Sequence, residues 1–307
     1  MRILVLGGNG FVGYNFVKKM SLLNHEITSF DRNFTYDFIE GVRYIEGNYN
    51  EISNHKSIFK NLDVVYQFIS TTLPKDSNLN PIFDIETNLC NLIKLLDLIV
   101  ENNIKKIVFI SSGGTVYGDQ NLESISEQSS TDPLSSYGIV KLAMEKYIQL
   151  YSKLYGVNYS IFRLSNPYGP YQNTLKDQGI IGIFIRKFIE NGEITIWGDG
   201  NIIRDYIYID DVIEILNRDL MKNIDNNILL NLGSGKGSSI NEILNLIERI
   251  SNKKINILYK ESRSFDVKKN ILNIDKISNT FDWKPKHDIE EGIQNTYKWL
   301  KNNYKSN

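Results

Sequence analysis

Two short motifs hold residues whose chemistry depends on their spacing. The first is Gly7-Gly8-Asn9-Gly10-Phe11-Val12-Gly13, with glycines at positions 7, 10 and 13. Gly7 permits a tight turn. Gly10 lets a pyrophosphate approach the backbone and the positive end of a helix that Phe11 and Val12 begin, and Gly13 lets that helix pack close to a strand. Asp31 stands eighteen residues past Gly13. A carboxylate there can accept hydrogen bonds from an adenosine ribose, which favours NAD, whereas Arg32 beside it suits the 2′-phosphate of NADP. Both dinucleotides stay open at this point. A plain strand–turn–helix corner with a solvated Asp is the bland alternative.

The second motif is Tyr137-Gly138-Ile139-Val140-Lys141. Residues four apart share one helical face. A free phenol has a pKa of about 10 and is a poor base at neutral pH. A neighbouring ammonium stabilises the phenolate, so the pair can exchange a proton with a sugar hydroxyl while a nicotinamide exchanges a hydride. An isolated Tyr-x-x-x-Lys is common on solvated helix faces. Here the run Ser111-Ser112-Gly113-Gly114-Thr115-Val116-Tyr117-Gly118 ends the apolar segment just ahead of it. In an open α/β sheet ligands bind outside the carboxyl ends of the strands, so Ser111, Ser112, Thr115 and the Tyr/Lys helix can converge.

The elements that must place these residues alternate. Apolar runs at Ile3–Leu6, Glu26–Phe30, Val42–Ile45, Asp63–Phe68, Lys106–Ile110 and Tyr159–Leu164 read as buried strands. Helical patterns lie between them at Phe11–Leu23, Pro81–Glu101 and Ser135–Tyr155. Alternation of this kind, with continuous apolar strands, predicts βαβ units and a doubly wound parallel sheet covered on both faces. After about residue 166 the rhythm changes. Residues 166–178 predict a loop, Ile180–Asn191 a helix, Ile194–Ile196 a strand, and Asp205–Ile209 an extended run before a helix start at Asp210 and Asp211. Ile228–Leu232 predicts one more buried strand, followed by helices at Ser239–Ile250 and Ile289–Asn302. The expected organisation is a dinucleotide-binding domain at 1–165, to which segments near 205–235 return, and a smaller mixed substrate domain at 166–307.

Composition narrows the function. The 307 residues carry a net charge of −1, with 41% hydrophobic and 23% charged residues, an ordinary globular balance without the basic excess of a nucleic-acid binder. Cys90 is the sole cysteine, which rules out an intramolecular disulfide and disfavours a thiolate zinc site. His25, His55 and His287 have no metal-ligand spacing, so no metal is expected. There is no G-x-S-x-G turn and no Walker lysine. The opening run MRILVLGGNG is too short for a signal core or a membrane span, and the expectation is a cytoplasmic protein with no membrane contact.

With these motifs in place the chain resembles the extended short-chain dehydrogenase/reductase family, and within it the NAD-dependent nucleotide-sugar epimerases and dehydratases, over nearly its whole length. The resemblance rests on the glycine turn, Asp31, the Ser-rich strand end and Tyr137/Lys141. It also rests on Arg163-Leu164-Ser165-Asn166-Pro167-Tyr168-Gly169-Pro170 and on Arg204-Asp205-Tyr206-Ile207-Tyr208-Ile209-Asp210-Asp211-Val212. It implies a Rossmann fold and NAD or NADP as cofactor. It implies Tyr137 as acid/base and Lys141 on the nicotinamide ribose. Asn48 would lie near the adenine, and Phe68, Ser70, Asn88 and Ser111 along the cofactor. Asn166, Arg204 and Arg263 would contact the substrate diphosphate, a role suited to guanidinium forks. It further implies a nucleotide-sugar substrate, a homodimer built on two helices per subunit, and a place in making surface-polysaccharide precursors.

The chain also departs from the family pattern. Gly113 stands where sugar 4-epimerases carry a Ser or Thr that bridges substrate and tyrosine, leaving Thr115 or Ser112 to take over. Gly114 and Thr115 stand where dehydratases carry an acid, which argues against loss of water. Leu164 and Ser165 replace aromatic residues frequent in galactose-type epimerases, which leaves the sugar open. The first reading is therefore a UDP-hexose 4-epimerase. The alternative is a reductase of a dTDP-4-dehydro-6-deoxyhexose, which delivers hydride once. A third is a dinucleotide-binding protein without activity, against which the intact Tyr/Lys pair speaks.

Overall fold

The computed structural model describes residues 1–175, 179–222, 226–261 and 267–303. The chain opens with β1 (Arg2–Leu6), α1 (Phe11–Met20), β2 (Glu26–Asp31), β3 (Val42–Glu46), a 3-10 stretch at Tyr49–Phe59 and β4 (Val64–Gln67). Next come α2 (Pro74–Ser77), α3 (Pro81–Asp84), a π-helical turn at Ile85–Cys90, α4 (Asn91–Glu101), β5 (Lys106–Ser112), α5 (Ser136–Tyr155) and β6 (Asn158–Leu164). Then follow β7 (Asn166–Tyr168), α6 (Ile180–Ile189), β8 (Ile194–Trp197), β9 (Ile203–Tyr208), α7 (Ile209–Lys222), β10 (Ile228–Leu232) and β11 (Gly237–Ser239). The chain closes with α8 (Ile240–Ser251), β12 (Ile257–Lys260), β13 (Lys269–Asn270), α9 (Asp275–Phe281) and α10 (Ile289–Asn303).

The chain forms two compact units. One comprises Met1–Gly118, Ser130–Leu164 and Ile213–Leu230; the other comprises Asp119–Ser129, Ser165–Val212 and Asn231–Asn307. The first is built on a seven-stranded sheet in the order β10-β6-β5-β4-β1-β2-β3. The pairings β1–β2, β2–β3, β1–β4, β4–β5 and β5–β6 are all parallel. This is a doubly wound α/β sheet of the Rossmann type. Strand order reverses between β1 and β4, and the crevice at such a reversal is where ligands bind. Ile3, Leu4, Val5, Val64, Val65, Ile107, Val108 and Phe109 are all fully buried, which explains why these strands are apolar on both faces. The second unit is smaller and mixed. It holds β9 between β11 and β13 with β7 also paired to it, and a separate parallel pair of β8 and β12. Its core joins Ile185, Phe188, Ile243, Ile247 and Ile293 from α6, α8 and α10.

Four expected elements differ. The helix predicted at Phe11–Leu23 ends at Met20, because the backbone N–H groups of Leu22 and Leu23 turn back onto Lys19 and Met20 and leave Leu22 exposed. The single helix predicted at Pro81–Glu101 is broken by the π-helical turn. Thr87 and Asn88 inside it, and Asn91 just after it, each donate a side-chain hydrogen bond to the carbonyl four residues back, at 2.6, 3.2 and 3.0 Å, which competes with the regular ladder. The predicted 166–178 loop contains β7, which pairs with β9 through Asn166, Pro167 and Tyr168. The extended run expected at Asp205–Ile209 starts earlier, at Ile203, and yields to α7 at Ile209.

Candidate active site

The glycine turn joins β1 to α1 with Gly7 at φ +89°, a conformation costly for any other residue. Gly7 N–H donates to the Phe30 carbonyl at 2.8 Å, and Gly10 N–H to the Gly7 carbonyl at 3.0 Å. A Cβ on Gly13 would sit 2.0 Å from the Gly7 carbonyl oxygen. One on Gly8 would sit 2.0 Å from Ser29 Oγ, a constraint the three-glycine spacing did not single out. One on Gly7 would meet Ile69 N at 3.1 Å, so the ends of β1 and β4 touch at the strand-order reversal. The turn is thus bare backbone at a helix N-terminus, the surface that a dinucleotide pyrophosphate requires. Phe11 and Val12 form the exposed rim of the first helical turn, both half-buried.

Asp31 closes β2 against this turn. Its carboxylate accepts from Asn9 N–H at 2.9 Å and from Arg32 N–H at 2.8 Å. The Asn9 side chain in turn holds Thr35, whose N–H donates to Asn9 Oδ1 at 3.0 Å. Arg32 itself is exposed. Asn48 is exposed too, and its Oδ1 caps the 3-10 stretch by accepting from Asn50 N–H at 3.1 Å. Phe68 packs its ring 5.6 Å from both Phe16 and Tyr66. Gln67, which belongs to neither motif, is buried and accepts from Ile69 N–H at 2.8 Å, fixing the turn after β4. Asn88 is 3% exposed and accepts from Thr71 N–H at 3.0 Å.

Tyr137 and Lys141 lie in the first turns of α5. Ser135 caps the helix by accepting from Gly138 N–H at 3.2 Å. Ser136 N–H donates to Asn78 Oδ1 at 2.8 Å and Tyr137 N–H to Ser77 Oγ at 3.1 Å, so the last residue of α2 and the one after it satisfy two orphan donors of α5. Lys141 is 6% exposed. Its ammonium donates to the Ile110 carbonyl at 2.9 Å and lies 4.8 Å from the Phe109 ring centre and 5.6 Å from the Tyr137 ring centre. Burial pushes the Tyr137 phenol up to about 12; a hydrogen bond from Ser70 opposes this and the charge of Asp84 adds to it. Burial likewise lowers Lys141 to about 8, against the pull of Asp84 and Glu145. The expected lowering of the phenol by its lysine is therefore not what the chain shows. Burial dominates the ionisation of the phenol, and Tyr137 rests as a neutral hydroxyl.

The Ser-rich strand end divides in two. Ser111 is buried and donates its hydroxyl to Glu145, which also accepts from Arg163 at 2.7 Å. Its hydroxyl thus belongs to a network that docks α5 on β5 and β6, not to an open surface. Ser112 is half-buried, and its carbonyl accepts from Val116 N–H at 3.2 Å. Thr115 Oγ1 is buried with no partner among the described residues, and the Thr115 carbonyl lies where a Cβ on Gly138 would meet it at 2.8 Å. Thr115 therefore borders the turn that carries Tyr137.

In the second unit, Asn166 and Arg204 are brought together. Asn166 Nδ2 donates to the Asp205 carbonyl at 2.8 Å. Both residues line a cleft of about 240 Å³ with Pro167, Ile180, Ile202 and Tyr206. The buried Asp205 carboxylate accepts from Ser234 N–H and Oγ, both at 2.8 Å, and so anchors the strand that presents Arg204. Arg263 lies outside the described residues. A wider surface hollow of about 400 Å³ beside Glu242 and Arg249 gathers none of the motif residues. No group of three or more His, Cys, Asp or Glu among the described residues could hold a metal, and no helix among them is long and apolar enough to cross a membrane.

The chain resembles known proteins in sequence and in fold. Residues 3–233 match the model of the NAD dependent epimerase/dehydratase family. A Methanocaldococcus jannaschii protein provisionally named a UDP-glucose 4-epimerase is 35% identical, with 98% of this chain and 99% of that one covered. The dTDP-4-dehydro-6-deoxyglucose reductase of Escherichia coli is 29% identical, with 97% of each chain covered. The crystal structure of Thermotoga maritima UDP-glucose 4-epimerase with UDP-glucose superposes with a TM-score of 0.93 at 29% identity, covering 98% of this chain and 99% of that one. The chain thus belongs to the NAD dependent epimerase/dehydratase family.

Proposed function

We propose that this chain interconverts UDP-hexoses that differ at C4, with NAD as hydride carrier. The observation that carries the reading is the Tyr137–Lys141 face at the carboxyl end of β5, in the same unit as a glycine turn closed by Asp31. The Asp31 carboxylate favours a free ribose 2′-hydroxyl over a phosphate, so NAD is preferred to NADP. NAD, when bound, accepts and returns a hydride at C4. The rest is the work of the chain. Gly7, Gly10, Phe11, Val12 and Gly13 receive the pyrophosphate. Tyr137 must first give up its own proton; as the phenolate it takes the proton from the C4 hydroxyl, and as the phenol so formed it gives that proton back to O4 of the 4-keto sugar. Lys141 supplies the positive charge that steadies the phenol as it loses its proton. Ser112 or Thr115 bridges the sugar hydroxyl in place of the side chain Gly113 lacks, and Asn166, Arg204 and Arg263 hold the nucleotide diphosphate. We place the enzyme in the cytoplasm as a homodimer that uses the outer faces of α4 and α5, where Leu150 and Leu154 are exposed.

One observation favours a second reading, reduction of a dTDP-4-keto-6-deoxyhexose. With its phenol held at about 12, Tyr137 is poised as a proton donor, and a single reduction needs a donor but not the bridge that Gly113 removes. The experiment offers UDP-galactose without added cofactor, then dTDP-4-keto-6-deoxyglucose with NADH or NADPH. Formation of UDP-glucose supports the epimerase. Stoichiometric loss of reduced cofactor on the keto sugar, with no change in UDP-galactose, replaces it with the reductase. Full activity in Tyr137→Phe would overturn both.

A further inference from the structure

Asp84 is fully buried, yet neither motif contains it. Its Oδ1 accepts from Thr72 Oγ1 at 2.7 Å and from Asn88 Nδ2 at 2.9 Å. Its Oδ2 accepts from Ser136 Oγ at 2.9 Å. Three chain segments therefore meet on one carboxylate: the loop after β4, the π-helical turn, and the first turn of α5 one residue before Tyr137. A buried ion is expensive unless it is fully hydrogen-bonded, and these three donors supply that. The carboxylate sits at the last residue of α3, where the chain passes into the π-helical turn, and π-turns recur at functional sites.

We propose that Asp84 is a positioning residue for the Tyr137–Lys141 pair: it clamps the turn that carries the phenol to the loop after β4, and it sets a fixed negative charge beside both side chains. The inference rests on the reading of Tyr137 as the acid/base. Asp84 acts on Tyr137 and Lys141 in the same direction, keeping a proton on each, and Glu145 acts with it on Lys141. The other charged groups nearby are Arg163 of β6, which is engaged by Glu145, and Lys75, Asp76 and Glu86, which are exposed. The result is a pair that rests as hydroxyl and ammonium, the form that gives a proton to O4.

The test uses the whole chain and whichever probe it turns over, UDP-galactose or dTDP-4-keto-6-deoxyglucose. Asp84→Asn keeps an acceptor for Thr72 and Asn88, turns the Ser136 contact into one in which the amide N–H donates to Ser136 Oγ, and removes the charge. Loss of a neighbouring negative charge lowers both ionisations, so both limbs of the pH profile of kcat/KM move to lower pH, by about half a unit to one unit, with KM little changed. A merely structural Asp84 would lower the rate and leave both limbs in place, and that result overturns the proposal. Ser136→Ala removes the clamp but not the charge. It is expected to lower kcat about three- to tenfold with KM and the pH limbs unmoved, and it still decides the clamp if Asp84→Asn does not fold. Unchanged kcat in Ser136→Ala overturns the clamp. Activity in Tyr137→Phe overturns the acid/base reading instead, so the two failures are separable.

Discussion

Lys141 carries a charge inside a nearly dry site, and its cost can be measured. Its ionisation is lowered from 10.5 to about 8 by burial. Between those values the unfolded chain binds a proton that the folded chain has released, so stability rises with pH across that window; below about 8 both states are protonated and the full penalty applies. Lys141→Met is therefore expected to abolish activity and yet raise stability at pH 7, by about 1–3 kcal/mol. Thermal melts from pH 6 to pH 10 should show the gap between variant and parent narrowing above pH 8. A parent that is the more stable at pH 7 would contradict the account. Gly8 makes a different kind of point. Its Cβ would lie 2.0 Å from the Ser29 hydroxyl oxygen. Gly8→Ala should cost about 1–3 kcal/mol through overpacking, while Gly8→Ala with Ser29→Gly recovers most of it in the same denaturation assay.

α5 is held by a buried ion pair one turn beyond Lys141. Glu145 lies on the same helix, four residues after Lys141; it bonds Arg163 at 2.7 Å and accepts the Ser111 hydroxyl. The Arg163 guanidinium also lies 4.7 Å from the Tyr117 ring centre. Glu145→Gln leaves a buried guanidinium without its counter-charge, and a loss of about 3–5 kcal/mol is expected in urea unfolding. Glu145→Met with Arg163→Met should lose less than Glu145→Gln alone, because no charge is then stranded. A double variant weaker than the single would show that the pair contributes net stability. Little of this network is visible in the residue spacing, since Ser111, Glu145 and Arg163 come from β5, α5 and β6 and meet only when those elements pack.

The first unit is discontinuous, and its stability should reflect that. Residues 213–230 return to it after the chain has built much of the second unit. Asp219, on the returning α7, accepts from Lys106 Nζ at 3.1 Å and from Ser160 Oγ at 2.7 Å, and all three residues are fully buried. A fragment of residues 1–165 would strip the Asp219 carboxylate from Lys106 and Ser160 and uncover that part of the sheet. It is expected to be insoluble or to melt without cooperativity, whereas the whole chain unfolds cooperatively. Calorimetry on the two separates the outcomes, and a cooperative transition in the fragment would show that the returning segment is dispensable.

Local features of the sequence carried the strands, the glycine turn and the Tyr137/Lys141 face. Each depends on neighbours within one or two turns of chain: continuous apolar runs for a sheet covered on both sides, glycines where backbone must come close, and residues four apart on one helix. The π-turn at Ile85–Cys90, β7 hidden in the Pro- and Gly-rich stretch after Asn166, and the buried carboxylate of Asp84 were not legible that way. Asp84 looks in sequence like any polar residue near a helix start. Its importance comes from Thr72, Asn88 and Ser136, up to 52 residues distant, converging on it. The ionisation of the site depended on packing as well. The spacing of Tyr137 and Lys141 suggests a lowered phenol, but burial in the folded chain, with the Asp84 charge acting the same way, sets the opposite direction.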